Sequence, residues 1–172
     1  MSKIKLTVIN SSDLPKLYEW KNDFDLCCLI KAHPLPVTYE DIERWFLNNY
    51  SDKNQVLLGI YFNETNTIKG IVRLMFIDWI SAVAEFGIFI GDKNSRGDGI
   101  GTEVMRQLID YAFLSLNLRK VFLKVITENL AAIKLYKSVG FNEEGVLKKH
   151  YWSGGKYVDV LIMSLFNINY AK

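Results

Sequence analysis

Residues 95–103 read SRGDGIGTE (Ser95-Arg96-Gly97-Asp98-Gly99-Ile100-Gly101-Thr102-Glu103), and they join a run of strand-forming residues to a helical pattern. Glycine on alternate positions lets the backbone approach a ligand closely and adopt positive φ angles. The first turn of the following helix has unpaired N–H groups and the positive end of the helix dipole. Such a loop either binds a phosphate or pyrophosphate or is a glycine-rich turn without a ligand, and the segment alone leaves both open.

The segment does not match the established glycine-loop motifs for dinucleotides and nucleoside triphosphates, and a cell-surface receptor is not expected as its ligand. The dinucleotide fingerprint G-x-G-x-x-G has Thr102 in place of its third glycine, and the triphosphate loop lacks the lysine that would precede this threonine. The Arg-Gly-Asp tripeptide at 96–98 would matter in a secreted protein, whereas the N-terminal residues contain no apolar segment of signal length.

The composition is that of an ordinary globular chain. It has 172 residues, of which 49% are hydrophobic and 23% charged, with a net charge of +2. We therefore expect one domain over residues 1–172, with no nucleic-acid partner and no membrane association. Cys27 and Cys28 are adjacent and pair poorly, which favours a reduced, cytoplasmic protein. His33 and His150 have no metal-ligand spacing, so no metal is expected.

Hydrophobic periodicity predicts a mixed α+β fold. Strands are expected at 3–9, 55–62, 68–77, 82–90 and 120–127, followed by a hairpin over 141–166. Helices are expected from Ser11 or Ser12 to Trp20, from Thr38 with Asp41 in a capping box, over 100–116, and from Asn129 to Gly140. Residues 23–37 are expected to be irregular, because Pro34 and Pro36 break helices. The short connections favour a mainly antiparallel central sheet, flanked by helices on both faces.

Three segments, in this order, resemble the GNAT superfamily of acyl-CoA-dependent N-acetyltransferases. Arg96–Gly101 is similar to the family's R/Q-x-x-G-x-G/A signature, and Glu85–Ile90 (EFGIFI) resembles its fourth strand. Asn129–Phe141 matches N-x-x-A-x-x-x-Y-x-x-x-G-F. The resemblance implies acetyl-CoA as cosubstrate and a possible homo-oligomer. It also implies that the loop residues Arg96, Gly97, Asp98, Gly99, Ile100, Gly101 and Thr102 bind the coenzyme pyrophosphate. The backbone of Ile88, Phe89 and Ile90, together with Asn129 and Ala132, would contact the coenzyme arm.

The chemistry that this resemblance implies requires a base and an acid. An amine with pKa near ~10.4 is charged at neutral pH, and its deprotonation costs about 4–5 kcal/mol. Glu85, within an apolar run, is the candidate general base, directly or through one water; it is otherwise a solvent-facing or ion-paired strand residue. By resemblance Tyr136 is the general acid for the departing thiolate; it is otherwise a packed aromatic. Asn129 is alternatively a helix N-cap. Gly87 marks a bulge or a close approach of backbone.

The acceptor is less well defined than the donor. The C-terminal run resembles the branch with spermidine and ribosomal-protein N-terminal acetyltransferases, and residues 20–23 are similar to enzymes of nucleotide-linked amino sugars. A polyamine or an amino sugar is therefore the expected acceptor, with a protein N-terminus or a non-catalytic acyl-CoA-binding module as alternatives. Carboxylates available for a polyamine are Asp23, Asp25, Glu40, Asp41 and Glu43, and aromatics available for an acceptor slot are Trp20, Phe24, Tyr39 and Trp45.

Overall fold

A seven-stranded sheet forms the centre of the molecule in the computed structural model, which describes residues 2–29, 35–95 and 99–170. Its strands are β1 Ile4–Thr7, β2 Val56–Phe62, β3 Ile68–Asp78, β4 Val83–Ile90, β5 Lys120–Ile126, β6 Asn142–Ser153 and β7 Lys156–Phe166. The spatial order is β1-β2-β3-β4-β5-β7-β6. Among the strand pairs of the described residues, only β4–β5 is parallel. The predicted mixed, mainly antiparallel α+β fold is confirmed.

Helices cover both faces of the sheet. They are α1 Leu14–Lys21, α2 Phe24–Leu29, α3 Tyr39–Ser51, α4 Ile100–Asp110 and α5 Leu130–Val139; a π-helical turn, Tyr111–Ser115, extends α4. Residues of α4 such as Val104 and Leu108 are fully buried in one core, against β3, β4 and β5. Leu17 of α1 and Ile42 of α3 belong to a second core on the opposite face. No helix in the described ranges is long and apolar enough to cross a membrane.

Two helix starts follow from local side-chain chemistry. The capping box of α3 is confirmed, because Asp41 N donates to Thr38 Oγ1 over 3.2 Å and Thr38 N donates to Asp41 Oδ2 over 2.9 Å. The predicted cap of α1 at Ser11 or Ser12 is wrong, since these residues form a 3₁₀ turn and α1 begins at Leu14. A proline at the second helical position, Pro15, is compatible with that later start.

The prediction of irregular structure over 23–37 is wrong for residues 24–29, which form α2. The Leu26 backbone N–H donates to Asp23 Oδ1 over 3.0 Å, so this aspartate satisfies a donor in the first turn. The two prolines lie downstream, where they can end a helix without preventing its start. Cys27 on α2 is buried, and its Sγ donates a hydrogen bond to the Lys21 carbonyl oxygen over 3.2 Å.

A bulge interrupts β3 beside β4. Met75 pairs with Glu85 and Asp78 pairs with Val83, so β3 has one residue more than β4 between these pairs. Phe76 carries the irregularity with a φ of 51°, and its side chain is 77% exposed. Strict alternation of side chains along β3 would bury Phe76, but because of the bulge Ile77 is the residue buried in the core. Gly87 pairs regularly with Arg73, so of the two alternatives for this glycine the bulge is wrong.

Candidate active site

The parallel strands β4 and β5 separate part-way along their length. They pair only at Val83–Lys120, Ala84–Val121 and Glu85–Phe122. Beyond Glu85, β4 continues its pairing with β3, while β5 continues with β7 beyond Phe122. The sheet therefore opens at the carboxyl ends of the two parallel strands, which is where open sheets with crossover helices place their ligands.

A cavity of about 590 Å³ occupies this opening. That volume is within the usual range for small-molecule sites. At one end it is lined by Gly101, Asn129, Ala132, Leu135 and Tyr136, and at the other by Lys21, Leu26, Trp45, Arg73, Met75, Phe76, Glu85 and Lys124. The cavity thus runs from the N-termini of α4 and α5 to the face covered by α1 to α3.

The glycine loop meets the cavity at the start of α4. Gly99 is the N-cap, with a φ of 78°, and an added Cβ there would contact nothing within 4 Å. Glycine is therefore required by the backbone conformation and not by lack of space. The Ile100 side chain is buried in the core, whereas Gly101 lines the cavity. Thr102 lies in the same first turn. The predicted ligands Arg96, Gly97 and Asp98 lie outside the described residues.

The second helix end at the cavity belongs to α5. The Ala132 backbone N–H donates to Asn129 Oδ1 over 3.2 Å, so Asn129 is an N-cap. Both residues also line the cavity. The alternative that Asn129 is a helix cap is therefore correct. This hydrogen bond uses only Oδ1, so the amide nitrogen of Asn129 can still contact a ligand in the cavity.

Tyr136 lies two turns after Asn129 and lines the same cavity. Its ring contacts Phe141, with the ring centroids 6.2 Å apart. Burial raises the pKa of Tyr136 to about 12. The phenol is therefore protonated across the physiological range, as a proton donor requires.

The far half of β4 forms one wall of the cavity through Ile88, Phe89 and Ile90. Ile88 and Ile90 pack against the core on the α4 side. Phe89 faces the other way and meets Trp20 edge-on, with ring centroids 5.7 Å apart. The side chains are thus held by packing, so a ligand in the opening meets the strand mainly through its backbone.

Glu85 lies where β4 and β5 begin to separate. Lys124 Nζ donates to Glu85 Oε2 over 3.0 Å, and the glutamate side chain is only 13% exposed. The alternative interpretation of Glu85 as an ion-paired strand residue is therefore correct. Glu85 nevertheless lines the cavity, within reach of a ligand.

Sequence reasoning missed Arg73, which lies on the same face of the sheet as Glu85. Arg73 is directly opposite Gly87. Burial lowers the pKa of Arg73, and the charge of Glu85 opposes that change. Each of three neighbouring strands has one charged residue inside an apolar run, namely Arg73, Glu85 and Lys124. A charged residue within each apolar run was the signal in the sequence by which Arg73, Glu85 and Lys124 could have been identified as a group.

Most acceptor-side candidates from the sequence do not reach the cavity. Of the five candidate carboxylates, none lines it; Asp41 caps α3, and Asp23 Oδ2 is 3.3 Å from Lys93 Nζ. Of the four aromatics, Trp45 lines the cavity, Trp20 is in the core, and Phe24 and Tyr39 are exposed. Among the described residues, no group of three or more His, Cys, Asp or Glu side chains has the arrangement of a metal site.

The sequence relationships agree with this geometry. A family model described as an acetyltransferase (GNAT) domain matches residues 3–142. The chain belongs to the GNAT acetyltransferase family. It is 28% identical over 169 residues to the spermidine N(1)-acetyltransferase of Vibrio cholerae, covering 98% of this chain and 96% of the relative. It is 38% identical over 161 residues to an N-acetyltransferase called p20 from Bacillus licheniformis, covering 87% and 90% of the two chains.

Solved structures of spermidine N-acetyltransferases have the same fold. The spermidine N-acetyltransferase of Vibrio cholerae in complex with CoA and spermine superposes with a TM-score of 0.92, at 27% identity and with 99% of each chain covered. A dodecameric structure of the enzyme from that organism gives a TM-score of 0.84 at 25% identity, with 100% of both chains covered. The predicted fold and the predicted N-acetyltransferase class are confirmed.

Proposed function

We propose that this GNAT protein, as a single domain, transfers the acetyl group of acetyl-CoA directly to the primary amine of a small molecule. The observation that carries the proposal is the cavity between β4 and β5. It brings the N-termini of α4 and α5 and Tyr136 to one end, and Glu85 to the other. A donor and an acceptor that enter from opposite ends would meet beside the separated part of β4, which is the proximity that transfer requires.

The donor end suits coenzyme A. The first turn of α4, from Gly99 to Thr102, offers backbone N–H groups to the pyrophosphate, with Arg96, Gly97 and Asp98 completing the loop. Ile88, Phe89 and Ile90 offer backbone groups to the pantetheine arm, and Asn129 and Ala132 border it. One N–H of this strand would stabilise the oxyanion that forms on the thioester carbonyl. The CoA bound in the Vibrio cholerae relative supports this assignment.

Glu85 is the proposed general base for the acceptor ammonium. It is a carboxylate in the cavity wall, where the amine must lose a proton before attack. Because one of its oxygens already accepts a hydrogen bond from Lys124, the proton passes to the other oxygen or through one water. Lys124 in this arrangement holds the carboxylate in position.

Tyr136 is the proposed general acid. The thiolate of coenzyme A is the leaving group, and its conjugate thiol has a pKa near ~8.5. A buried phenol with a pKa of about 12 is fully protonated but weakly acidic. Transfer of its proton therefore requires a close and direct approach to the departing sulfur.

Two acceptor classes are supported by different observations. The relatives favour a polyamine, since spermidine acetyltransferase is the name of the Vibrio cholerae enzyme and spermine is bound in its structure. The excess of cationic side chains in the cavity favours an amino sugar or similar amine that also carries an anionic group. A homo-oligomer is also proposed, supported by the dodecameric relative, and the cytoplasm is the proposed location.

The experiment is release of the coenzyme A thiol during incubation with acetyl-CoA and a panel of amines. The panel contains polyamines, amino sugars, amino acids and peptides with free N-termini. We expect thiol release with at least one small amine, together with the acetylated amine by mass spectrometry. Acetyl-CoA binding without thiol release for any member would favour a non-catalytic module, and preference for the peptides would favour a protein N-terminal acetyltransferase.

A further inference from the structure

Arg73 lies in the cavity wall without a close ion pair among the described residues. In the described ranges, no carboxylate oxygen lies within 4.0 Å of the Arg73 guanidinium; Glu85 Oε2 pairs with Lys124, and the Glu85 charge acts on Arg73 only from a longer distance. A guanidinium has five N–H donors and stays protonated in proteins. A partly buried charge without a partner is unfavourable, so this side chain is suited to an anion supplied from outside the chain.

The absence of a side chain at Gly87 directs Arg73 toward the cavity. An added Cβ at this glycine would lie 3.5 Å from both Cγ and Nε of Arg73, and 3.1 Å from Cε of Met75. The Arg73 side chain therefore lies across β4 over the position of the glycine. Glu85 is two residues along β4 on the same face. The acceptor end thus presents a carboxylate and a guanidinium side by side.

The charge balance of the cavity points to an anion as well. Its described lining has three cations, Lys21, Arg73 and Lys124, and a single carboxylate, Glu85. Lys124 and Glu85 neutralise each other as an ion pair. Lys21 and Arg73 remain, and their field attracts an anionic group and repels a polycation.

Resting on the acetyltransferase function proposed above, we infer that Arg73 binds an anionic group, a carboxylate or a phosphate, carried by the amine acceptor. The guanidinium can bind either group through two parallel hydrogen bonds. Residues diagonal to each other across an antiparallel pair are about 7 Å apart, as Arg73 and Glu85 are placed here. The acceptor therefore carries its anion within a few bonds of the amine, as in an amino acid or an amino-sugar phosphate.

Matched acceptors test this assignment. Steady-state rates are measured for glucosamine 6-phosphate against glucosamine, for L-leucine against L-leucinamide, and for spermidine. The first pair reports a phosphate and the second a carboxylate. We expect one anionic member to have a kcat/KM at least tenfold above its neutral partner and above spermidine. The Arg73→Met variant removes that preference by raising KM for the anionic acceptor at least tenfold, while the neutral partner changes less than threefold.

Two variants control for indirect effects. Arg106→Met makes the same change on the exposed face of α4, away from the cavity, and leaves all rates unchanged. Arg73→Lys keeps the charge without the paired donors and gives an intermediate KM. A kcat/KM highest for spermidine would overturn the inference, as would equal losses on the anionic and neutral acceptors in Arg73→Met.

A binding measurement separates this inference from the proposed function. Inorganic phosphate is titrated by calorimetry into protein already saturated with coenzyme A, so that the pyrophosphate site is filled. Wild type and Arg106→Met are expected to bind phosphate at least tenfold more tightly than Arg73→Met. Equal affinities overturn the role of Arg73 even if acetyl transfer occurs. Failure of all acetyl transfer refutes the proposed function and leaves this comparison still decisive for Arg73.

Discussion

Replacement of Gly70 by alanine tests whether the cavity depends on the position of β4. Gly70 pairs with Ile90, at the end of the strand half that borders the opening. An added Cβ would lie 3.0 Å from Ile90 Cα and 3.2 Å from the Phe89 carbonyl carbon, and closer still to the Phe89 oxygen. These atoms are backbone, so no side chain can turn away to relieve the clash.

The magnitude follows from that geometry. Cβ atoms essentially never lie under 3.0 Å from such neighbours, so β4 must move away from β3 by several tenths of an ångström. Overpacking of this kind costs about 1–3 kcal/mol. For a chain of 172 residues this corresponds to a fall in Tm of roughly 3–10 °C. Because Phe89 and Ile90 move with the strand, we expect at least a tenfold weaker affinity for coenzyme A.

The assays are thermal unfolding and calorimetry with coenzyme A. Gly145→Ala is the matched control, because it adds the same methyl group on β6 with nothing within 4 Å of the new atom. Its Tm and coenzyme affinity should equal those of wild type. A Tm for Gly70→Ala equal to that of wild type would refute the close approach of β3 to β4 at Gly70. A lower Tm with unchanged coenzyme affinity would show that this half of β4 does not bind the coenzyme.

Further predictions concern the proposed acid Tyr136, the proposed base Glu85 and the positive-φ residue Phe76. Tyr136→Phe should lower kcat by about 100-fold with little change in the KM for acetyl-CoA, and unchanged turnover would remove Tyr136 from the role of acid. Since a raised pKa of about 12 keeps the phenol protonated, the rate should show no loss from Tyr136 ionisation between pH 7 and 10; a tyrosine-dependent fall there, absent in Tyr136→Phe, would contradict its burial. Glu85→Gln should lower kcat, whereas unchanged turnover would point to another base. Phe76→Asn should raise Tm by roughly 1–4 °C, because asparagine tolerates the positive φ and the exposed ring loses little packing; a lower Tm would mean that the ring is held by contacts of its own.

The elements of the fold were largely predictable because they depend on local signals. The alternation of β2 to β5 and the capping box at Thr38 are read directly from neighbouring residues. Gly99 is also a local case, since its φ of 78° favours glycine. The helix α2 was missed because its start depends on one hydrogen bond, which the Leu26 backbone N–H donates to the Asp23 carboxylate, while the nearby prolines were the stronger signal.

The acceptor end of the site was not predictable in the same way. The position of Arg73 opposite Gly87 depends on strand register, which no short segment specifies. The bulge lies at Phe76, a bulky residue that disfavours positive φ, and not at the nearby glycine. The separation of β4 from β5 arises because each strand keeps a different partner, a property of the whole sheet.

The most direct test of the account follows the acetyl group itself. The protein is mixed with labelled acetyl-CoA and a reactive amine, quenched during the first turnovers, and the label is located by mass spectrometry. Direct transfer within the cavity predicts acetylated amine in equal amount to free coenzyme A, with no acetyl group on the protein and a slowed reaction in Tyr136→Phe. An acetylated protein that forms before the product, or bound acetyl-CoA that no amine consumes, would contradict it.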